Sequence, residues 1–408
     1  MSNELDVNVT KLDLKSFPNQ SPSGGSTIPT TIPNVEHLLR AYGITARYNV
    51  ITKKIEINIP GWKGTVDNTD NTVMSHIVSL ASSYGMPFGN VPEFVSAIAD
   101  QNPVNPVTDW IMSKPWDGVD RLSAFYDTLT AHDDFPLALK EILMYRWLIS
   151  AVAAVFMPSG FHCRGVLTLQ GKQSMGKTSW VKSLVSNDIL CEKVIKIDHH
   201  LDASDKDTKL TAVGHWVVEF GELDSSLKKD IARLKGFLTS GMDKIRRPYA
   251  RTNSEYPRRT VFVATVNDVN FLVDPTGNTR WWTIPVVDLN YEHGIDMQQL
   301  FAQIHDAYVE GERWWLTKDE EKCLESFNNR NHRSVSAIRE RVMANIDLSL
   351  NDPTAMTATE LLLAIGVNNP TNAQAKECAG VLRELFDEPK RINGYNKWYV
   401  PVKTPSLF

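Results

Sequence analysis

The sequence predicts an α/β protein whose main domain places a mostly parallel β-sheet between helices. Five short apolar segments are typical of strands: 166–170, 194–197, 215–220, 260–266 and 281–287. Helical patterns lie between them, as at 178–185 and 228–238, and two further ones, at about 71–99 and 120–156, precede them. Because apolar strands that alternate with helices are usually buried on both faces, this pattern indicates a parallel sheet covered by helices. At 408 residues the chain is longer than one core normally organises, so flanking domains are expected.

Composition and turn residues divide the chain into four predicted segments. Residues 1–33 are rich in Ser, Thr, Pro, Asn and Gly without apolar periodicity, which is typical of a flexible tail. Residues 34–110 combine a helical pattern with two strand patterns around a turn, which predicts a small α+β domain. Residues 111–330 hold the main domain and a preceding helical segment. Residues 345–408 hold two amphipathic helices and then a strand-turn-strand, which is the order of elements in a winged helix.

The composition is typical of a soluble globular protein, with 42% hydrophobic and 22% charged residues. A net charge of -5 argues against a uniformly basic surface but leaves room for a local basic patch. The four cysteines lie far apart and form no CxxC, which argues against a zinc module or a disulfide framework and fits a reducing cytoplasm. No apolar stretch reaches the ~20 residues of a membrane helix, and the N-terminus lacks a signal-peptide core. A cytoplasmic protein without a membrane partner is expected.

A glycine-rich loop between a strand and a helix is the most specific motif in the sequence. The predicted nucleotide contacts all come from this loop: Gly171, Gln173, Ser174, Met175, Gly176, Lys177 and Thr178. In such loops the backbone amides and the helix N-terminus point at phosphate oxygens. Lys177 is expected to reach the β- and γ-phosphates, and Thr178 to ligate magnesium. The sequence therefore predicts a P-loop that binds ATP and Mg²⁺. A glycine turn without a ligand is the alternative, which the preceding strand disfavours.

Polar side chains follow the next two predicted strands. Glu219 and Glu222 come at the end of the segment at 215–220, where a P-loop protein needs carboxylates. Glu219 is assigned to the metal and Glu222 to the attacking water, but the usual first residue is Asp, so the division of roles stays open. Surface acids after a buried strand are the alternative. Asn267 follows the segment at 260–266 and is expected beside the γ-phosphate, although Asn is also a common turn former.

A basic stretch and a single arginine complete the candidate residues. Residues 228–259 carry ten basic and three acidic residues, with Tyr249 and Tyr256 among them. Cations contact phosphates and aromatic rings stack on unpaired bases, so this composition favours DNA or RNA over a solvated loop. Arg280 lies on a turn before the last strand, and ring-shaped NTPases offer such an arginine to the neighbouring subunit's nucleotide. A structural ion pair or stacking on Trp281 is the alternative.

Motifs spread over most of the chain resemble those of the virulence-associated protein E family of phages and mobile elements. In order they are NPVTDWIMSKPWDGVDRL, GKQSMGKT, WVVEFGELD, LKGFLTSGMDKIRRPYAR, RRTVFVATVN and DPTGNTRWW, within a resemblance that spans about residues 35–401. The family is related to superfamily 3 helicases, so the resemblance implies an AAA+ core and an oligomeric, ATP-driven DNA helicase or replication protein. It implies that Asn267 is sensor 1 and Arg280 the arginine finger. The implied DNA contacts in the pore are Lys244, Arg246, Arg247, Tyr249 and Arg251.

The combined expectation is a hexameric ring helicase that translocates on single-stranded DNA in the cytoplasm of a bacterial host. The sequence shows no primase-like metal constellation, so a primase is expected as a separate partner. Two other functions stay open. One is an ATP-dependent replication initiator or loader that binds DNA without unwinding it. The other is a non-catalytic nucleotide-binding scaffold, against which the presence of Lys177, Thr178 and Arg280 argues.

Overall fold

The computed structural model describes most of the chain, in these ranges: 11–21, 27–65, 68–200, 205–221, 231–245, 254–272, 278–332, 337–347, 349–350 and 353–403. The backbone divides into two units, one of residues 1–269 with 277–326 and one of residues 270–276 with 327–408. Within the described ranges the chain combines many helices with a mostly parallel sheet, so the predicted α/β class is confirmed. No helix in these ranges has the length and apolar character needed to cross a membrane.

The first unit begins with a small α+β region. Its elements are α1 (Ile32–Ala41), β1 (Thr45–Asn49), β2 (Lys54–Asn58), α2 (Thr69–Ser83), α3 (Val91–Asp100) and β3 (Pro103–Val104). Strand β1 pairs antiparallel with β2 and parallel with β3. Helix α1 begins after Thr31, whose side chain accepts a hydrogen bond from the Asn34 N–H and so satisfies one free amide of the first turn.

The segment expected to be a flexible tail contributes buried side chains to the fold in the two stretches that the structure describes, residues 11–21 and 27–31. Phe17 and Ile28 are buried in the core of the α+β region. The side-chain amide of Asn34 donates to backbone carbonyls in both stretches, at 2.9 and 2.8 Å. Two large apolar side chains are enough to anchor a segment whose average composition is polar, so composition alone misleads here.

The main part of the first unit continues with helices and strands in alternation. Its elements are α4 (Pro106–Ile111), α5 (Leu122–Tyr126), β4 (Leu129–Ala131), α6 (Leu137–Phe156), β5 (Val166–Gln170), α7 (Lys177–Lys182), α8 (Asp188–Val194), β6 (Ile195–Lys196), α9 (Lys206–Val213), β7 (Val217–Phe220), α10 (Ile231–Thr239), β8 (Met242–Ile245), β9 (Ser254–Pro257), β10 (Val261–Val266), β11 (Trp281–Leu289), α11 (Met297–Val309) and α12 (Lys318–Asn331).

The central sheet has the strand order β4-β11-β5-β10-β7-β6. Neighbouring strands are parallel throughout, except that β4 runs antiparallel to β11 at one edge. All the strands predicted for this domain are present, with ends that shift by a residue or two. Strands β5, β7 and β10 are buried along their whole length, as their apolar sequences predict.

Helix α6 packs its long apolar surface against this sheet. Two buried indoles connect them: Trp147 Nε1 donates to the carbonyl of Phe262, at 2.9 Å, and Trp216 Nε1 donates to that of Ala151, at 2.8 Å. The prediction of one helical pattern at 120–156 is wrong, because β4 interrupts it. The backbone there pairs with β11, a contact between segments that are distant in the sequence.

The second unit contains α13 (Ala337–Asn345), β12 (Thr354–Met356), α14 (Ala358–Ala364), α15 (Asn372–Phe386), β13 (Lys390–Ile392) and β14 (Tyr395–Val400). The predicted order of two helices and a strand-turn-strand is present in α14, α15, β13 and β14. Both turn residues, Asn393 and Gly394, have positive φ, as a two-residue hairpin requires. Strand β12 was not predicted; it completes a sheet of order β12-β14-β13.

Candidate functional site

The loop after β5 lies at the carboxyl edge of the parallel sheet. It covers residues 171–176 and leads into α7, which begins at Lys177. The Gly171 N–H donates to the carbonyl of Val266, at the end of β10, over 3.0 Å. Because β10 is parallel to both β5 and β7, the carboxyl ends of all three strands meet beside this loop.

Two glycines permit the path of the loop. A Cβ at Gly171 would lie 2.6 Å from the carbonyl oxygen of Val286, where no side chain fits. Gly176 has a φ of +86°, which L-residues rarely adopt, and a Cβ there would lie 2.7 Å from the ring of Tyr291. The backbone therefore needs glycine at both predicted positions.

The ammonium group of Lys177 is enclosed by oxygen atoms of the loop and the neighbouring strand. The residue is 7% exposed. Its Nζ donates to the carbonyls of Gly171, at 2.6 Å, and Lys172, at 2.8 Å, and to Oδ1 of Asn267, at 2.8 Å. Burial lowers the pKa of Lys177, and the negative charge of Glu219 acts in the opposite direction. All three acceptors are neutral, so among the described residues no anion lies at hydrogen-bond distance from this charge, and a phosphate group would compensate it.

Glu219 is the buried carboxylate of the site, on β7, with 0% of its surface exposed. Its Oε1 accepts from Thr178 Oγ1, at 2.8 Å, and from Thr265 Oγ1, at 2.9 Å. Its Oε2 accepts from the Asp198 N–H at 3.2 Å. Magnesium prefers oxygen ligands from carboxylates, and hydroxyls such as that of Thr178 serve it in phosphate loops. The adjacent oxygens of Thr178 and Glu219 therefore fit a magnesium ion beside the loop.

The structure brings four predicted site residues together: Lys177, Thr178, Glu219 and Asn267. The other predicted nucleotide contacts, at the tip of the loop, are more exposed to solvent than these four residues. Gln173 and Ser174 are exposed, and Met175 is half-buried. Ser174 has a φ of +65°, so it holds a left-handed conformation without being glycine. Glu222, predicted to polarise the attacking water, lies outside the described residues.

Arg280 is not part of this group. It precedes Trp281, which pairs with Val166 at the amino end of β5, whereas the loop follows the carboxyl end of that strand. Since each strand residue adds about 3.3 Å, at least about 13 Å of strand separates the two edges. The Nε of Arg280 is buried and has no hydrogen-bond partner within the described part of the chain. Within one chain, Arg280 therefore faces the edge of the sheet opposite to Lys177.

Three residues near the site were not identified from the sequence. Thr265 interrupts the apolar run of β10, and that isolated hydroxyl was the available signal. Asp198 follows β6 and reaches Glu219 through its backbone, a contact that depends on the pairing of β6 with β7. Tyr291 lies against Gly176, although it follows β11 in the chain. The last two contacts come from the order of strands in the sheet and leave no local sequence signal.

Strands β8 and β9 form an antiparallel pair within the basic stretch. Lys244 is exposed on β8 and forms an ion pair with Glu255, at 2.6 Å, which raises the pKa of Lys244. The other predicted nucleic-acid contacts lie outside the described residues: Arg246, Arg247, Tyr249 and Arg251. Of that set, the structure therefore locates Lys244 alone, on a strand and accessible to solvent.

Part of the basic stretch is structural. Arg258 is buried and donates to both carboxylate oxygens of Asp243, at 2.7 and 2.8 Å. Its guanidinium also lies 4.4 Å from the ring centroid of Phe237 and 5.5 Å from that of Phe262. Burial lowers the pKa of the neighbouring Arg259. The ten basic residues of this stretch therefore differ in role, because Arg258 holds the β8–β9 pair to the core.

A family model describes the main domain. The model of the virulence-associated protein E-like domain matches residues 111–333, more than half of the chain. The chain belongs to the virulence-associated protein E-like family. The predicted family is thereby confirmed. The matched range includes the loop at 171–176 and the strand ends that carry Glu219 and Asn267.

Curated proteins and solved structures are less similar to this family member. No curated protein matches it. Among solved structures, the apo structure of the NrS-1 C-terminal region (305–718) is 13% identical, with a TM-score of 0.46, over 90% of this chain and 98% of that one. The A-form apo structure of the same region is 13% identical, with a TM-score of 0.42, over 85% of this chain and 86% of that one.

Proposed function

We propose that this family member is an ATP-dependent DNA helicase of phage or mobile-element replication, working as a hexameric ring on single-stranded DNA. The observation that carries the proposal is the group formed by Lys177, Thr178, Glu219 and Asn267 at one edge of the sheet. The glycine loop follows the middle strand β5, the carboxylate ends β7, and the amide follows β10 between them. This arrangement supports a P-loop core of the AAA+ class, flanked by the N-terminal α+β domain and a winged-helix-like unit.

The loop supplies the proposed nucleotide contacts. Bound ATP and Mg²⁺ would supply the phosphoanhydride bond and a Lewis acid that draws charge from it. Lys177 would exchange its neutral acceptors for phosphate oxygens, and Asn267, released from Lys177, would face the γ-phosphate. The Thr178 hydroxyl and the Glu219 carboxylate would hold the metal. Glu222 would accept the proton of the attacking water.

The position of Arg280 supports an oligomer. Because this side chain lies at the opposite edge of the sheet from Lys177, it would act as an arginine finger on the nucleotide of a neighbouring subunit. The contacts to one DNA strand would come from Lys244, Arg246, Arg247, Tyr249 and Arg251. The chain would work in the cytoplasm of a bacterial host, with a separate primase as a partner.

The proposal is tested by DNA-stimulated ATP hydrolysis and by strand separation on a forked substrate. Lys177→Ala is expected to reduce the ATPase rate at least about a hundredfold and to abolish unwinding, because it removes a buried cation that faces the transferred phosphate. Lys182→Ala, at an exposed position on the same helix, is the matched control and is expected to retain activity. Equal ATPase rates for wild type and Lys177→Ala would refute the site.

Two other experimental outcomes would support a function other than that of a helicase. Hydrolysis and DNA binding without release of a strand from the fork would indicate an initiator or loader. Nucleotide binding without turnover, together with a silent Glu222→Gln variant, would indicate a scaffold. The mass of the assembly with an ATP analogue and DNA gives the subunit number, and a monomer would exclude Arg280 from acting in trans.

A further inference from the structure

One face of the sheet in the second unit exposes two tyrosines. Side chains alternate along β14, so Trp398 and Val400 are buried while Tyr395, Lys397 and Tyr399 lie on the outer face. Tyr395 is 65% exposed and Tyr399 is 47% exposed. The two rings lie on the same face of β14, with Lys397 between them.

The neighbouring strands complete this outer face. On β13, Lys390 pairs with Lys397 and Ile392 with Tyr395. On β12, the small side chain of Ala355 lies opposite Tyr399 and leaves room beside its ring. We call this surface the tyrosine face; it consists of Ala355, Lys390, Ile392, Tyr395, Lys397 and Tyr399.

The two lysines of the tyrosine face differ in whether a carboxylate compensates their charge. Lys397 donates to both carboxylate oxygens of Glu360, each at 3.0 Å, and its side chain is 18% exposed. Lys390 and the adjacent Arg391 are exposed and form no ion pair with the described residues. The Nζ of Lys390 lies 5.5 Å from the centroid of the Tyr399 ring, a cation–π distance. One edge of the face thus combines an accessible cation with an aromatic ring.

The helix that would enter a DNA groove in a winged helix carries less suitable chemistry. The charged residues on α15 are Lys376, Glu377, Arg383 and Glu384, which balance to zero. Arg383 lies 3.5 Å from Glu388, and Glu384 forms an ion pair with Arg339. Duplex binding rests on cations that face phosphates, so α15 is a weak candidate for it.

We propose that the tyrosine face binds single-stranded nucleic acid, with unpaired bases stacked on Tyr395 and Tyr399. The two tyrosines are four residues apart on one strand, so about 13 Å separates their Cα atoms, enough for each to take a separate base. Lys390, which lies opposite Lys397 on the same face, contacts a phosphate between them. This combination of aromatic platforms and flanking cations is how proteins bind single strands without reading sequence. The site is distinct from the proposed ATP site and does not depend on it.

Photo-cross-linking of the full-length chain tests the site directly. Trypsin separates the two tyrosines, because cleavage after Arg391, Lys397 and Lys403 yields INGYNK with Tyr395 and WYVPVK with Tyr399. A single-stranded DNA of about 20 nucleotides that carries 5-iodouracil is expected to modify both peptides. The Lys177→Ala variant is expected to give the same adducts, so failure of the ATP site and failure of the tyrosine face are distinguishable.

Binding measured by fluorescence anisotropy provides the quantitative test. Tyr395→Ala with Tyr399→Ala is expected to weaken binding of single-stranded DNA about tenfold or more, because each stacked base contributes substantially to affinity. The matched control, Tyr395→Phe with Tyr399→Phe, retains both rings and is expected to bind within about twofold of wild type. A uracil RNA of the same length shows whether the sugar matters. Both substitutions change exposed side chains, so the fold is expected to persist, which circular dichroism checks.

Three outcomes would overturn the proposal. Adducts confined to other peptides, with unchanged affinity of the double alanine variant, would exclude the tyrosine face. Loss of duplex binding in Lys376→Ala with Arg383→Ala, with the tyrosine variants silent, would assign DNA binding to α15. A face that captures a partner protein, while oligonucleotide binding is unchanged in the double alanine variant, would be a protein-docking surface.

Discussion

Arg258 and Lys177 are buried basic side chains at opposite ends of the central sheet, and their hydrogen-bond partners differ. At the amino end, Arg258 precedes β10 and donates to both carboxylate oxygens of Asp243. At the carboxyl end, Lys177 donates to two carbonyls and to the amide oxygen of Asn267. Arg258 is 1% exposed and Lys177 is 7% exposed, so both are removed from water.

This difference separates a structural cation from a functional one. A guanidinium held by a carboxylate and two aromatic rings is compensated, so its charge is used within the fold. The Lys177 ammonium donates to neutral oxygens instead, and its pKa is lowered by burial although the charge of Glu219 acts in the opposite direction. A site that must accept an anion needs the second arrangement. The comparison predicts that the amino end determines stability and the carboxyl end determines activity.

The largest expected effect on stability is at the amino end. Asp243→Ala leaves the guanidinium of Arg258 buried without its carboxylate, and breaking such a pair typically costs about 3–5 kcal/mol. Urea unfolding followed by circular dichroism measures this loss. Glu255→Ala breaks the exposed ion pair of Lys244 on the same β8–β9 pair, and is expected to leave the unfolding midpoint near that of wild type. Equal effects of the two substitutions would show that Arg258 is not the structural cation.

A smaller loss of stability is expected when a glycine of the loop is substituted. Gly176→Ala places a Cβ in a left-handed conformation, which costs about 1–2 kcal/mol, and 2.7 Å from the Tyr291 ring. The loop must then shift, so nucleotide affinity is expected to fall as well. Adding Tyr291→Ala removes the overlap and is expected to restore part of the affinity.

The control for this loop variant is a glycine without either constraint. Gly236 lies inside α10, and a Cβ there would have no neighbour within 4 Å. Gly236→Ala is expected to raise the free energy of unfolding by about 0.5–1 kcal/mol, because alanine is the better helix former. If both glycine variants changed stability alike, the strained path of the loop would play no part.

At the carboxyl end, the sequence could place Glu219 and Asn267 beside Lys177 because these residues lie at fixed offsets from strands. Apolar segments that end in Glu219 and Asn267 place both side chains at one edge of a parallel sheet, next to the loop after β5. The order of those segments therefore predicted contacts between residues that are 41 to 90 positions apart. Strands β5, β7 and β10 are parallel, so the residues that follow each of them lie at the same edge of the sheet.

The amino end could not be predicted in the same way. The sequence does not distinguish Arg258 from the other basic residues of 228–259, because its burial depends on Asp243 across the β8–β9 pair and on rings from α10 and β10. Nor does the sequence show that the charge of Lys397 is compensated, which becomes clear from the placement of Glu360 at the start of α14. Charge counts along a sequence do not say which carboxylate a cation meets after folding.

The smallest expected effect is the pH dependence of the stability that Lys177 contributes. Burial lowers the pKa of Lys177 in the folded state below the ordinary lysine value of 10.5, so the unfolded chain binds more protons in the interval between the two values. Stability rises with pH wherever the unfolded state binds more protons. Relative to Lys177→Met, the wild type is therefore expected to gain stability as the pH rises from about 7 to about 10.

Urea unfolding of the wild type and Lys177→Met at both pH values measures this difference. Lys182→Met, at an exposed position on the same helix, is the matched control, and its difference from wild type is expected to stay constant because its ammonium remains in water. A carboxylate paired with Lys177 would reverse the sign, since the pair would then be lost as the ammonium deprotonates. A wild type that loses stability relative to Lys177→Met at high pH would therefore make Lys177 a structural cation like Arg258.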